Sequence, residues 1–221
     1  MGLFSFGDRM NLELFDTAGT GRNLYTFESM VRNQGFRIIA GIDEAGRGPL
    51  AGPVVAAAVI LPEDAEIHGL DDSKKLTATK RDALFDQITR SAAVVGVGIV
   101  DHEAIDRINI LQATLSAMSQ AVQSLSPLPD YLLIDGISTI PVNIPQKTIK
   151  KGDSLSASIA AASIIAKVTR DRLMEGYDIL YPGYGFAGHK GYGSVAHYAA
   201  IEKLGPCEIH RKSFRGVKEH L

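Results

Sequence analysis

From Arg37 onward, apolar residues gather into short blocks and helical stripes that alternate along the chain. Ile38–Ile42 and Val54–Leu61 read as buried strands, the second bounded by Pro53 and Pro62. Thr77 is placed to cap a helix running through Arg90, with Leu84, Phe85 and Ile88 on one face. Ala93–Val100 is a third strand. Ile105, Ile108, Leu111, Leu115, Met118 and Val122 recur at three-to-four spacing, which predicts an amphipathic helix over Asp101–Leu125, halted by Pro127 and Pro129. Tyr131–Ile134 and Lys147–Lys150 read as the fourth and fifth strands. A long helix rich in Ala and Ile is expected from Ser154 to about Tyr177. A loop full of glycines and aromatics follows, then a helix from Ser194 to Leu204 and a basic tail. This order of elements implies an α/β protein with a mixed five-stranded sheet flanked by helices.

Residues 1–36 read as an N-terminal extension, expected to be partly disordered. Gly-Thr-Gly at 19–21 breaks it, and Tyr25–Val31 suits one short helix. A chain of 221 residues with 45% hydrophobic content can bury one core, so residues 37–221 are expected to form a single domain with a basic C-terminal segment. The single cysteine, Cys207, excludes an intramolecular disulfide and fits a reducing compartment. Apolar runs such as Val54–Leu61 and Ile159–Ala166 are too short to span a bilayer. Asp8, Glu13 and Asp16 interrupt any signal-like pattern, so a cytoplasmic monomer away from membranes is expected.

The net charge of −2 conceals a gradient. Residues 1–146 carry 11 Lys and Arg against 18 Asp and Glu, a balance of −7; residues 147–221 carry 12 against 7, a balance of +5. Such a split suits phosphate contacts in the C-terminal third and metal-holding acids elsewhere, although surface decoration alone would also produce it.

The candidate chemistry lies in acids at strand ends. Asp43 and Glu44 stand where the first strand runs out into Gly41-Ile-Asp-Glu-Ala-Gly-Arg-Gly48. Unpaired neighbouring carboxylates repel each other, and a hard divalent cation with oxygen ligands would relieve that repulsion. Capping and solvation are the bland alternative for an isolated pair. The pair is not isolated, because Asp135 ends the fourth strand and Gly136 follows at once. Carboxylates at the ends of neighbouring strands converge on one rim, where two cations roughly 4 Å apart could activate water and stabilise the leaving oxygen of a phosphodiester. No Cys/His cluster favours zinc, so Mg2+ or Mn2+ is expected. A fourth acid is either Asp153 or Asp171, which would lie about 27 Å apart along a continuous helix. Asp153 follows the fifth strand, whereas Asp171 stands among Lys167, Arg170 and Arg172 as a helix-surface ion pair, so Asp153 is preferred.

These residues resemble the bacterial ribonuclease HII family. The resemblance rests on Gly41-Ile-Asp-Glu-Ala-Gly-Arg-Gly-Pro49, Asp72-Ser-Lys-Lys-Leu76, Ile134-Asp-Gly136, Lys151-Gly-Asp153, Ala161–Arg172 and His189-Lys-Gly-Tyr192. It runs from about Ile38 to Phe214, in the family's order and spacing. It implies a ribonuclease H-like fold and two-metal hydrolysis by Asp43, Glu44, Asp135 and Asp153 as catalytic residues and metal ligands. The implied substrates are RNA–DNA hybrids and duplex DNA with embedded ribonucleotides, cut 5′ to the ribonucleotide to leave a 5′-phosphate and a 3′-hydroxyl. Gly46, Arg47 and Gly48 are implied to read the 2′-hydroxyl, and Tyr192 to stack on the neighbouring deoxyribose. Glycines allow close backbone approach to a sugar, and the 2′-hydroxyl is what separates RNA from DNA.

Lys150 and Lys151 adjoin the expected metal site and suit phosphate contacts, while Lys74 and Lys75 are equally suited to phosphate or to solvent. His189 has a structural or phosphate role in preference to general-base duty. Tyr181, Tyr184 and Phe186 are expected to pack their loop down. His210, Arg211 and Lys212 either touch a duplex backbone or end the fold in solvent. The Gly46–Gly52 loop lacks the lysine of a phosphate-binding P-loop. Two rivals stand beside the ribonuclease: a DNA-directed nuclease or strand-transferase, and a non-catalytic hybrid binder that would gain nothing from clustered acids.

Overall fold

A computed structural model of the chain describes residues 23–221, apart from 64, 66, 68, 71, 72, 74, 75, 92 and 93. The expectations for residues 1–22 and for Lys74 and Lys75 lie outside the described residues. Five strands form one sheet in the order β3-β2-β1-β4-β5: β1 (Ile39–Ala45), β2 (Val54–Ile60), β3 (Val94–Val100), β4 (Tyr131–Asp135) and β5 (Gln146–Ile149). β1 pairs antiparallel with β2, as β2 does with β3, while β1–β4 and β4–β5 are parallel. The sheet is therefore mixed, as the sequence implied.

The helices are α1 (Thr26–Asn33), α2 (Ala78–Arg90), α3 (His102–Gln123), α4 (Ala157–Leu180), α5 (Phe186–His189) and α6 (Val195–Leu204). Alternation along β1 assigns the two faces of the sheet. Ala40 and Ile42 join Ala113, Ala117, Ala121 and Val122 of α3 in one core. Gly41 faces α4, and a Cβ there would collide with the Ser158 carbonyl carbon and the Ile159 nitrogen. The missing side chain lets a helix lined with Ala157, Ala160 and Ala161 sit directly on the central strand. Thr77 caps α2 by accepting from the Lys80 amide at 3.3 Å, as expected. Tyr184 and Phe186 are buried and stacked with ring centroids 5.3 Å apart, so the aromatics do pack their loop down.

Three local expectations change. β1 continues through Asp43 and Glu44, because its antiparallel ladder with β2 runs on to Ala45↔Val55. The helix over Asp101–Leu125 is broken at Asn109, whose φ of 67° is non-helical. There the Asn109 carboxamide oxygen accepts from the Leu111 and Gln112 amides at 3.0 and 3.1 Å, starting a second helical piece. The long helix begins at Ala157 instead of Ser154. Lys151 in the left-handed region (φ 56°) first opens a separate 3-10 turn, Gly152–Ser154, and Ser156 then caps α4.

α1 packs through Val31 against Ile39, Leu133, Ile149 and Ile159. Its Glu28 is buried at the start of α4, where Oε1 accepts from Ser156 Oγ (2.6 Å), Ser158 Oγ (2.6 Å) and the Ser158 amide (3.0 Å). A carboxylate there meets the positive end of the helix dipole. Among the described residues, no helix is long and apolar enough to cross a membrane.

Candidate active site

Parallel pairing places the C-terminal ends of β1 and β4 side by side. Ile42↔Ile134 is the last registered pair, so Asp43 and Asp135 follow it on the two strands. Both acids alternate with core residues facing α3, which turns them toward the α4 side of the sheet. The 3-10 turn after β5 brings Asp153 to the same place. One carboxylate oxygen from each of Asp43, Asp135 and Asp153 lies within 4.8 Å of the others. Asp43 and Asp153 are buried and Asp135 is half-buried.

The electrostatics follow from this crowding. Burial, then the charges of Glu44 and Asp135, hold the Asp43 carboxyl well above the usual range. Hydrogen bonds from the Ser163 side chain and from the Glu44 amide (2.7 Å) act in the opposite direction. Ser163 in turn is 2.8 Å from the buried Ser73 hydroxyl. Asp135 Oδ1 accepts from the Gly152 amide at 2.7 Å. Glu44 lies outside the close trio, and its Oε1 accepts from Arg47 Nη1 at 3.3 Å. Three all-oxygen carboxylates in near contact, one of them carrying a raised pKa, match a hard divalent cation. Asp171 makes a 2.7 Å ion pair with Lys167, one turn away on α4, as its sequence context suggested.

Beside the acids lies the segment Gly46–Pro53. Gly46 has φ of +98°, and a Cβ there would run into the Arg170 side chain. Arg47 and Gly48 are exposed, and a Cβ on Gly48 would touch the Tyr192 ring at 3.7 Å. Tyr192 is 46% exposed, so the glycine segment and the aromatic form one accessible face. Lys150 and Lys151 are exposed on the turn that leads to Asp153.

Sequence reasoning missed what lies beneath this face. Arg170 and Arg211 are 1% and 0% exposed. Arg170 donates from Nε to the Pro53 carbonyl (2.9 Å), from Nη1 to Lys190 (2.8 Å) and from Nη2 to Ala51 (3.1 Å). Arg211 donates from Nε to Gly52 (3.0 Å), from Nη1 to Arg47 (2.9 Å) and from Nη2 to Gly46 (2.6 Å). Burial draws Arg170 down to about 10 and Arg211 to about 9, the latter also through the charge of Arg170, and both remain protonated at neutral pH. The expectation that His210 and Arg211 touch a duplex or end in solvent is overturned, since neither has any exposed surface. Lys212 alone of the three is exposed. The signal for Arg170 was its place in a stripe of Ser163, Ala166, Arg170 and Met174, the spacing of a buried helix face.

Three imidazoles hold the Tyr192 loop from behind. The Cys207 amide can only donate to His210 Nδ1 (2.9 Å), which leaves the His210 proton on Nε2. That proton is shared with His197 Nε2 at 3.0 Å, and His197 Nδ1–H then donates to the Tyr192 carbonyl at 2.9 Å. His189 accepts from the Gly191 amide at 3.2 Å and donates to the Tyr184 carbonyl at 2.8 Å. Both of its ring nitrogens are thus engaged within the fold.

Comparison with known proteins supplies the family. The family model described as Ribonuclease HII matches residues 40–217. The chain is 68% identical over 212 residues to a ribonuclease HII of Geobacter metallireducens, covering 96% of this chain and 99% of that protein. It is 70% identical over 199 residues to one of Geotalea uraniireducens, covering 90% and 92%. Among solved structures it resembles the ribonuclease H2 of Pyrococcus horikoshii OT3, with a TM-score of 0.69, 27% identity and coverage of 83% and 96%.

Proposed function

Because the chain belongs to the ribonuclease HII family, we propose that this ribonuclease H-type endonuclease cuts RNA–DNA hybrids and also incises duplex DNA 5′ to a single embedded ribonucleotide. Its fold is the ribonuclease H-like α/β fold, with a mixed sheet between helices. The observation that carries the finer reading is the contiguity of two surfaces. Three carboxylates within 4.8 Å of one another are followed in the chain by an exposed Arg47-Gly48 backbone, with Gly48 against Tyr192.

Asp43, Asp135 and Asp153, with Glu44 beside them, would hold Mg2+ or Mn2+. When bound, such cations supply Lewis-acid stabilisation of developing charge and a lower pKa for water. The remaining work belongs to the chain. Gly48 leaves the backbone bare, so that a ribose 2′-hydroxyl can reach peptide groups a Cβ would screen, while Gly46 gives the room that the Arg170 side chain fills. Arg47, 51% exposed at its side chain and 3.3 Å from Glu44, offers its outer donors to a phosphate. The Tyr192 ring presents a flat face to the next sugar, and Lys150 and Lys151 neutralise the backbone beside the acids. Hydrolysis adds water across the P–O3′ bond, which leaves a 3′-hydroxyl on the upstream strand and a 5′-phosphate on the ribonucleotide.

The test is a DNA duplex with one ribonucleotide, run beside an all-DNA duplex of the same sequence and an RNA–DNA hybrid. Cleavage 5′ to the ribonucleotide with Mg2+ or Mn2+, and none with EDTA or on DNA alone, supports the reading. Equal cutting of the DNA control would instead favour a DNA-directed nuclease, and retention of binding without any turnover would favour a binding module.

A further inference from the structure

We propose that Arg170 and Arg211 are positioning residues for ribonucleotide selectivity, a buried guanidinium pair that orients the peptides of the Gly46–Gly48 reader and ties them to the Tyr192 loop. The proposal rests on the reading of those two segments given above. Two fully buried cations that make no ion pair with a carboxylate among the described residues are costly, and a fold keeps them only where their donors are well used. Here six donors meet six different main-chain carbonyls: those of Gly46, Arg47, Ala51, Gly52, Pro53 and Lys190. Five of these belong to one eight-residue segment, 46–53, and the sixth belongs to the loop that carries Tyr192.

The consequence follows from peptide geometry. A trans peptide directs its C=O and its N–H to opposite sides. The peptide from Ala51 to Gly52 displays this, with its carbonyl on Arg170 and its N–H on the Ile209 carbonyl at 2.9 Å. Arg211 draws the Gly46 and Arg47 carbonyls inward, so the amides of Arg47 and Gly48 are directed away from it, toward the exposed face. Among the described residues those two amides donate to no backbone or side-chain acceptor. They form an adjacent pair of donors aimed where a substrate oxygen arrives. Arg170 spans the gap to the second reader. Its Nη1 holds the Lys190 carbonyl, its guanidinium carbon lies 5.9 Å from the Tyr192 ring centroid, and the Leu50 amide reinforces the link by donating to Gly191 at 2.8 Å.

Lysine separates charge from geometry, because an ammonium preserves the cation but cannot hold three carbonyls in one plane. Arg211→Lys and Arg170→Lys are therefore assayed for kcat and KM on a duplex with one ribonucleotide and on a continuous RNA–DNA hybrid. Melting temperature and calorimetric Mn2+ binding are measured alongside. A single ribonucleotide offers one 2′-hydroxyl in one register, whereas a hybrid offers one at every step, so a displaced reader is penalised more on the former. The expected result is Mn2+ affinity within about twofold of wild type. It should accompany a loss of roughly 10- to 100-fold in kcat/KM on the single ribonucleotide and a clearly smaller loss on the hybrid. Equal losses on both substrates, wild-type kinetics on both, or collapse of both variants into unfolded chains would overturn the proposal. A wild-type enzyme that cut the all-DNA duplex as well would refute the underlying reading instead, whatever the lysine variants did.

Discussion

The Gly152 amide donates to Asp135 Oδ1 at 2.7 Å, so the acid ending β4 is held by the turn that carries Asp153. The two carboxylates are thereby mechanically linked. A Cβ on Gly152 would stand 2.6 Å from Ile159 Cδ1 and in contact with Asp135 Oδ1 at 3.4 Å, so Gly152→Ala must displace the end of the Ile159 side chain or the turn that holds the acid. The expected outcome is a loss of about 10- to 100-fold in metal affinity, the usual scale for disturbing groups that orient ligands. Mn2+ calorimetry on the purified variant checks it, and unchanged affinity would show that the link carries no weight.

Asp43 gives a prediction of opposite sign for stability and activity. Its raised carboxyl pKa means that the folded chain holds a proton which the unfolded chain has already released. In the absence of metal, stability therefore declines as pH rises from about 4 through that raised value. Asp43→Asn removes the buried repulsion and should raise the metal-free melting temperature at pH 7.5 by about 2–5 °C. The same variant should lose cleavage while keeping hybrid binding, and Mn2+, expected to raise the melting temperature of wild type, should no longer raise that of the variant. Scanning calorimetry with and without Mn2+ reads both effects.

Acid acts through the histidines behind Tyr192. Burial, then the neighbouring His197, draws His210 from an ordinary 6.5 to about 4. Between those values the unfolded chain binds a proton that the folded chain refuses, so stability falls as pH drops from 6.5 toward 4 and is unaffected above that window. At full extent the loss is roughly 2–3 kcal/mol. Urea midpoints at pH 7.5, 6 and 5 should show the decline, and His210→Gln should flatten it. An equal slope in the variant would assign the pH dependence to other groups.

Glu28 connects α1 to the far side of the site. Glu28→Ala leaves two serine hydroxyls and the Ser158 amide without their acceptor. A cost of about 2–3 kcal/mol follows from leaving such buried groups unsatisfied. Glu28→Gln keeps an accepting oxygen and should lose less. Because α4 starts immediately beyond the Asp153 turn, the alanine variant should also weaken Mn2+ binding, which a urea titration and calorimetry together can separate from simple destabilisation.

Much of this architecture was legible in the pattern of residues. Strand-sized apolar blocks ending in Asp43 and Asp135 announced two neighbouring strand ends, and the structure registers them one step beyond Ile42↔Ile134. Helical rise kept Asp153 and Asp171 out of one site, and the choice between them followed from Asp153 succeeding a strand and Asp171 standing among basic residues; Asp171 indeed pairs with Lys167. What periodicity could not reveal were interactions made by backbone carbonyls. Arg211 looked like part of a solvated basic tail because its partners, the carbonyls of Gly46, Arg47 and Gly52, have no signature in side-chain chemistry. The break at Asn109 was hidden for a similar reason: an asparagine that caps a second helical piece leaves the apolar spacing around it intact.

The carboxylates at 43, 135 and 153 and the guanidinium props at 170 and 211 are contributed in sequence by segments far apart along the chain. A ribosome-bound chain that has not yet exposed Arg211 owns every acid but not the scaffold that aims the reader. Such an unfinished molecule would gain its selectivity only once its last residues fold onto segment 46–53.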